Sequence, residues 1–547
     1  MRNMKKRGLA LSLVVMMLLS GCSLGKAPGS IGGNGGGSAE KGTELQIGIV
    51  AKGYGDEFAK QLAVGFEEKT GIKTEVVKSN AMGDWVSGQL LAGAENNDID
   101  IIFDIRPTAM RDIAVSNYIK GYERAYVDLS DIYNEVLEGY SIDKTLKEIV
   151  SPYALRSVTW DLEGEGYGDG KQYFVNYVTG VEGLLYNVDL FEKYNLTEPK
   201  TTTEFFELLE KIKTLESGSY AKNDDGREIY PYVYSGKVDY TNMIARVWWA
   251  QYDGTDTYNR VLQGKDANGN YSTDSLKTQG KLSALNFASK LLAQDSGYTN
   301  PSSYNQSFTN AQVMFLDEQA FMMVTGDWVE REMSGNFESD SVNIAYMRIP
   351  VNSNIIKQCD TVTTEERLVE TIAYVDGDTD TRPEYLSDSD LERIIEARAL
   401  YSCEGNQHIA YIPAYSNMVE EAKDFFRFML SKEGQEIMLQ YSYGNMAPLN
   451  VDVTAFEYYA SLSTLQKSKY DMLNSNIGLS LIGENYSHPM GYAGGVRDFY
   501  TSPTMETAFG VVKTSASYMT AKEYWEADYN LMAKDWEKMM TQAGVSN

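Results

Sequence analysis

Apolar residues recur along this chain in two rhythms, and the alternation between them lays out its elements. Leu45-Gln46-Ile47-Gly48-Ile49-Val50 reads as a strand, whereas Phe58, Leu62 and Phe66 recur at helical spacing across Glu57 to Lys69. A turn carrying Gly53 and Gly55 separates the two, Gly71 stops the helix, and Lys73 to Val77 starts a second strand. A helix over Trp85 to Ala92 and a strand over Ile99 to Ile105 repeat the pattern. Strand, helix, strand, helix predicts an α/β lobe with a mostly parallel sheet. Ligands of such sheets sit beyond the carboxyl ends of the strands.

Further along, Pro199 and Thr201 precede the helical stretch Thr203-Glu204-Phe205-Phe206-Glu207-Leu208-Leu209, with Thr201 as its cap. Long helices are expected from Asp388 to Ser402, from Met418 to Leu430 continuing toward Tyr441, and from Thr520 to Thr541. The last carries Tyr524, Trp525, Tyr529 and Trp536 on or near one apolar face, a stripe that reads as core packing. Polar clusters at 223–226 and 264–270 read as surface turns. The second is no calcium loop, because Tyr271 and Lys277 stand where such a loop needs its glycine and its final ligand.

The first residues follow a different logic. Arg2, Lys5, Lys6 and Arg7 precede an apolar run from Leu9 to Leu19, about half the length of a spanning helix, which marks an export signal. The run ends in Leu19-Ser20-Gly21-Cys22, which resembles the bacterial lipobox and makes Cys22 the expected lipidation site and first mature residue. Residues 23–42 are rich in Gly and Ser, so 22–43 reads as a lipidated Cys on a flexible tether. Acyl chains contribute about 0.8 kcal/mol per buried methylene, and more than one chain gives stable anchoring.

About 500 residues remain, suited to two lobes rather than one core. The formal net charge is −28, and more negative once the signal's four basic residues are removed. Such a surface repels phosphate backbones, so no nucleic-acid partner is expected. Cys359 and Cys403 either pair as a disulfide or stand as two thiols. Neither has ligand-spaced neighbours, and His408 and His488 are the only histidines, so no metal site and no cofactor are expected. The chain holds no Gly-x-Ser-x-Gly, His-Glu-x-x-His or phosphate-loop motif.

Three segments in order carry a specific resemblance. The first is Gly183-Leu184-Leu185-Tyr186-Asn187-Val188-Asp189-Leu190-Phe191 with Pro199-Lys200-Thr201; the second runs from Phe315 to Trp328 and ends in Gly326-Asp327-Trp328. The third runs from Ile409-Ala410-Tyr411-Ile412-Pro413 through Ala422 to Met429 and on to Gly444-Asn445-Met446-Ala447-Pro448. Together they resemble the family 1 extracellular solute-binding proteins, the maltose-binding-protein-like receptors of carbohydrate ABC importers. The segment from Gly170 to Val181 lacks the family's Pro after its Tyr, and Cys359 to Leu386 reads as an insertion.

The resemblance implies an α/β, two-lobe periplasmic-binding-protein-like fold (type II), hinged, with the ligand cleft between the lobes. It divides the chain into a signal peptide at 1–21, lobe 1 at 44–178 plus 351–448, and lobe 2 at 179–350 plus 449–547. Crossovers are expected near Asn176 to Gly183, near Pro350 and near Leu449. The implied function is capture of an extracellular sugar or oligosaccharide, delivered by a monomeric, lipid-anchored protein to the transmembrane subunits of an ABC importer, and the retained lipid suits a Gram-positive surface. The alternatives are a peptide or polyamine on the same fold, and a secreted glycoside hydrolase using two carboxylates.

A sugar presents hydroxyls and apolar C–H faces, so its receptor needs aromatic platforms and short polar side chains. Trp328, in the Gly-x-Trp corner, is the leading stacking candidate, followed by Trp85 at a helix start and Asp104 at a strand end. Trp248 and Trp249 are adjacent on a helix, so one is expected in the core and the other at the ligand with Asp253. Tyr177, Asp327, Tyr54, Tyr415 and Arg497 complete the candidate set, each with packing or solvation as the plain alternative.

Overall fold

The computed structural model describes residues 44–50, 53–79, 99–105, 124–160, 168–337, 342–404, 407–474, 479–481, 488–492 and 494–546. Cys22, the tether and Trp85 lie outside them. The described strands are β1 (Leu45–Ile49), β2 (Thr74–Lys78), β3 (Ile101–Ile105), β4 (Val175–Asn176), β5 (Val181–Asn187), β6 (Tyr230–Val233), β7 (Ala320–Gly326), β8 (Ile344–Met347), β9 (Leu400–Cys403), β10 (His408–Tyr411) and β11 (Leu479–Leu481).

The strands form two sheets. In the first, ordered β2-β1-β3-β10-β4, β1 is parallel to β2 and β3, and β10 runs antiparallel to β3 and β4. The second is ordered β11-β9-β5-β7-β6 with β8 also on β5, and β5 runs antiparallel to β7, β8 and β9. Helices cover both sheets, as apolar strand faces require.

Local signals place the helices. Phe58, Leu62 and Phe66 point from Glu57–Thr70 into the first lobe with no exposed surface, and Gly71 ends that helix at φ 75°, a left-handed turn that glycine adopts without a Cβ clash. Thr201 accepts the Glu204 N–H and caps Thr202–Ile212, while Thr520 forms a capping box with Glu523 at the start of Ala521–Ala543. The stretch from Met418 toward Tyr441 is two helices, Val419–Leu430 and Lys432–Tyr441, because Ser431 leaves helical geometry and caps the second. Of the tail's aromatic stripe, Tyr524 is fully buried, and Trp525 and Trp536 pack against the core.

The chain passes from the first sheet to the second between Asn176 and Val181, and back between Cys403 and His408. This differs from a return at Pro350. Residues 351–399 carry a separate apolar cluster around Ile355, Leu368, Ile372 and Ile394, and the helix Asp388–Ala399 packs on Thr241–Asp253 of the second lobe. The helix expected to reach Ser402 ends at Ala399, because Leu400–Cys403 leaves it to become β9 beside β5. Leu449 still bridges Val150 of the first lobe, and the chain reaches the second lobe only with Thr464–Asn474, which packs on β8. Cys359 and Cys403 are not joined in a disulfide.

Candidate functional site

Two buried polar clusters lie where the lobes join. The first centres on Asp327, at the end of β7. Its Oδ1 accepts the Tyr54 hydroxyl at 2.6 Å, and its Oδ2 accepts the Val181 N–H at 3.3 Å and the Lys469 ammonium at 3.3 Å. Tyr54 comes from the first lobe, where Gly53 (φ 59°) and Gly55 (φ 79°) turn the chain after β1. Lys469 belongs to Thr464–Asn474 and donates as well to Gly444 O (2.8 Å) and Asn445 Oδ1 (2.9 Å), which follow a first-lobe helix. Asp327, Tyr54 and Lys469 are buried, and each gains partners that offset its desolvation. Burial, then the Asp327 carboxylate, pushes the Tyr54 phenol well above its ordinary value, while burial lowers Lys469 against the pull of Asp327.

The second cluster lines a cavity of about 480 Å³. β5 supplies Glu182; the start of Thr241–Asp253 supplies Asn242, Met243 and Arg246, with Asp239 and Tyr240 just before it. The β9–β10 crossover supplies Cys403, Glu404 and Gln407, and a late segment supplies Arg497, Asp498, Phe499 and Thr501. Buried Arg246 is the organising cation: its Nε donates to Asp498 Oδ2 at 2.9 Å, and its Nη1 to Glu182 Oε2 at 3.2 Å and to Ser402 Oγ at 3.1 Å. Burial alone would lower the guanidinium, but Asp498 and Glu182 outweigh it and hold its pKa above the usual value. The remaining carboxyls fare differently. Burial, with Glu182 nearby, pushes Glu404 up to about 8, and burial with Glu506 behind it raises Asp239 well above the carboxylate range. Tyr240 and Phe499 give the wall two ring surfaces among donors and acceptors of both kinds.

Of the residues singled out from sequence, Arg497 lies on this cavity, exposed at its rim. Trp328 does not line it. Its ring folds over Gly326, where an added Cβ would come within 2.3 Å of it, and meets the edge of Tyr240 at 6.4 Å, so Tyr240 is the ring that faces the cavity. Trp248 and Trp249 are both core residues: the Trp248 indole donates to Pro350 O at 3.2 Å and the Trp249 indole to Asp253 Oδ2 at 2.8 Å. Asp253 also accepts the Gly280 N–H, which fixes it as a tie between helices. Tyr177 stacks on Phe58 in the first lobe with its hydroxyl 3.2 Å from His408 Nδ1, and Asp104 accepts from the Tyr411 hydroxyl at 3.1 Å; both are buried there, as is Tyr415. Tyr54 and Asp327 meet each other in the first cluster rather than on the cavity wall.

Sequence reasoning passed over Glu182, Arg246, Glu404 and Gln407. Arg246 carries a legible signal, a single cation within the apolar run Met243-Ile244-Ala245-Arg246-Val247-Trp248, since a charge on a buried helix face needs partners.

The profile of the family described as bacterial extracellular solute-binding protein matches residues 61–467. The chain belongs to this family. The curated relatives include putative binding proteins of Brucella abortus (strain 2308) and Brucella suis biovar 1 (strain 1330), each 24% identical over 213 residues that cover 39% of this chain and 43% of the relative. The match thus spans less than half the length of those relatives. Among solved structures, apo RafE from Streptococcus pneumoniae aligns with TM-score 0.54 at 15% identity over 92% of this chain and all of that one. RafE in complex with raffinose aligns with TM-score 0.49 at 16% identity, covering 89% and 99%. The likeness to apo RafE shows the two-lobe solute-binding fold, and the family itself is described as extracellular and solute-binding. Among the described residues no helix is long and apolar enough to cross a membrane, and no group of His, Cys, Asp and Glu is arranged to hold a metal ion.

Proposed function

We propose that this solute-binding protein captures a sugar or oligosaccharide in the cavity around Arg246 and delivers it to the transmembrane subunits of an ABC importer, held at the membrane by a lipid on Cys22. The observation that carries this reading is the cavity itself. Its volume falls in the range of about 300–1000 Å³ typical of small-molecule sites. Its wall alternates carboxyls, amides, hydroxyls and guanidinium groups between the rings of Tyr240 and Phe499, a surface suited to hydroxyls on one side and C–H faces on another.

The cavity is lined by the second lobe and the β9–β10 crossover, and a solute held there that also reaches the first lobe binds the closed form better than the open one. That difference in affinity shifts the population toward closure, which gives the importer a form to recognise. No covalent step is involved.

A thermal-melt screen of sugars, peptides, polyamines and metal ions tests the reading. A solute that binds only the folded state at 100 times its Kd stabilises it by about 2.7 kcal/mol. Sugars raising the melting temperature support the proposal, and a rise with peptides or polyamines alone overturns the carbohydrate assignment. Cys22→Ser should move the protein from the membrane fraction to the medium; retention would overturn the anchor.

A further inference from the structure

Resting on the reading of the Arg246 cavity as a sugar site, we infer that Trp328 is a positioning residue: it fixes the Tyr240 ring as the platform on which the sugar packs, and does not itself touch the solute.

Trp328 stands at the start of Val329–Met333, directly after Asp327, and is only 6% exposed. Its indole lies so close over Gly326 that a Cβ added there would come within 2.3 Å of its Cη2 and Cζ3 atoms, so only glycine leaves room for the ring. On the side of the first lobe, a Cβ added at Gly53 would lie 3.8 Å from the Trp328 Cβ. The backbone is held as well: the Asp327 N–H donates to Val181 O at 2.9 Å, and the Trp328 carbonyl accepts the Glu332 N–H at 2.9 Å. A side chain boxed in this way keeps one rotamer. The same corner carries Asp327, so the indole is anchored where the two lobes are tied.

Tyr240 is less enclosed, half-buried on the cavity wall just before the helix Thr241–Asp253. Among the described residues the one aromatic ring packed against it is Trp328, edge to face with centroids 6.4 Å apart and planes at 64°. That separation lies within the range where aromatic pairs attract. The Trp328 side chain also hydrogen-bonds the Tyr240 hydroxyl, with the indole N–H as the donor. This bond opposes burial and the carboxylates Glu332, Glu404 and Glu182, which together hold the phenol above its ordinary value. One contact to the ring and one to its hydroxyl fix both where Tyr240 lies and how it is turned. A ring fixed before the sugar arrives loses less freedom when the sugar packs on it, so Trp328 sets part of the affinity that Tyr240 delivers.

The test uses the full-length protein carrying 3-fluorotyrosine at position 240, read by fluorine NMR. A second sample is labelled at Tyr298, which bonds Glu210 elsewhere in the second lobe. Trp328→Ala should shift the 240 resonance toward that of a freely turning tyrosine while the 298 resonance stays in place. Trp328→Phe, which restores a ring without the N–H, should recover part of the shift. Calorimetric titration with maltotriose, cellobiose and raffinose supplies the second readout. Trp328→Ala should weaken sugar binding at least ten-fold and Trp328→Phe by less, and neither should weaken it further in a Tyr240→Ala background. A 240 resonance unmoved by Trp328→Ala overturns the positioning. So does a Trp328→Ala loss that persists undiminished in the Tyr240→Ala background, which would put the solute on Trp328 itself. If Trp328→Ala also moves the 298 resonance, the fold has been disturbed and Trp328→Phe decides by the same criteria. No binding of any of the three sugars by the parent protein overturns the sugar reading, whatever the fluorine spectra show.

Discussion

At Asp327 three donors from both lobes converge on one carboxylate, whereas around the cavity one buried guanidinium serves two carboxylates and leaves two more carboxyls without a cation. The clusters are built from the same residue types and lie near the same chain crossovers, so composition does not distinguish them. Satisfaction does. Polar groups that find all their partners inside the protein hold the lobes in register, and those that do not are available to a solute. The fully partnered cluster also takes Tyr54, Gly444 and Asn445 from the first lobe and Val181 from the crossover, which makes it a structural tie across the hinge.

The largest break in this comparison is Arg246→Ala. It leaves Glu182 and Asp498 buried without their cation, and denaturant unfolding should report a loss of about 3–5 kcal/mol. Asp327→Ala strands Lys469 and removes the Tyr54 tie, with an expected loss of about 3 kcal/mol in the same assay, at the lower end of that range. Glu404→Gln is the contrasting change on the cavity wall: it removes a carboxyl that supports no described fold contact, and stability should move by no more than about 0.5 kcal/mol.

A finer test uses pH. His408 is buried between Tyr54 and Tyr177, and burial lowers it to about 3, so the folded state keeps it neutral where the unfolded chain takes a proton below about 6.5. The folded pKa is the depressed one, so His408 leaves stability untouched above pH 6.5 and lowers it as pH falls from there toward 3, by up to about 1.4 kcal/mol per pH unit. Denaturation curves of His408→Gln against the parent protein between pH 7 and 4 should show the parent losing stability more steeply. Parallel curves would remove His408 from the account.

The fold was readable where signals are local. Glu57–Thr70 shows its apolar spacing and its Gly71 stop, and Thr201 and Thr520 announce their helices by capping chemistry. The strand β9 was not readable, because its place is set by pairing Cys403 with Val181 across the chain, and nothing near 400 distinguishes that strand from a continuing helix. Trp248 and Trp249 misled for a related reason. Adjacent positions point in different directions, but the helix Thr241–Asp253 lies between the second sheet and the helix Gln279–Leu292, so both directions lead into core. The cavity was the least legible part: Arg246 advertises a buried charge, but its carboxylates come from β5 and from residue 498, and only folding brings them together.

The most direct measurement is calorimetric titration of the sugar found in the melt screen into the double variant Tyr240→Ala/Gln407→Ala. If the solute sits in the cavity around Arg246, loss of one ring and one amide should weaken binding at least 100-fold while the melting temperature of the solute-free protein stays close to that of the parent. Unchanged affinity would place the solute elsewhere and contradict the assignment of this cavity as the binding site.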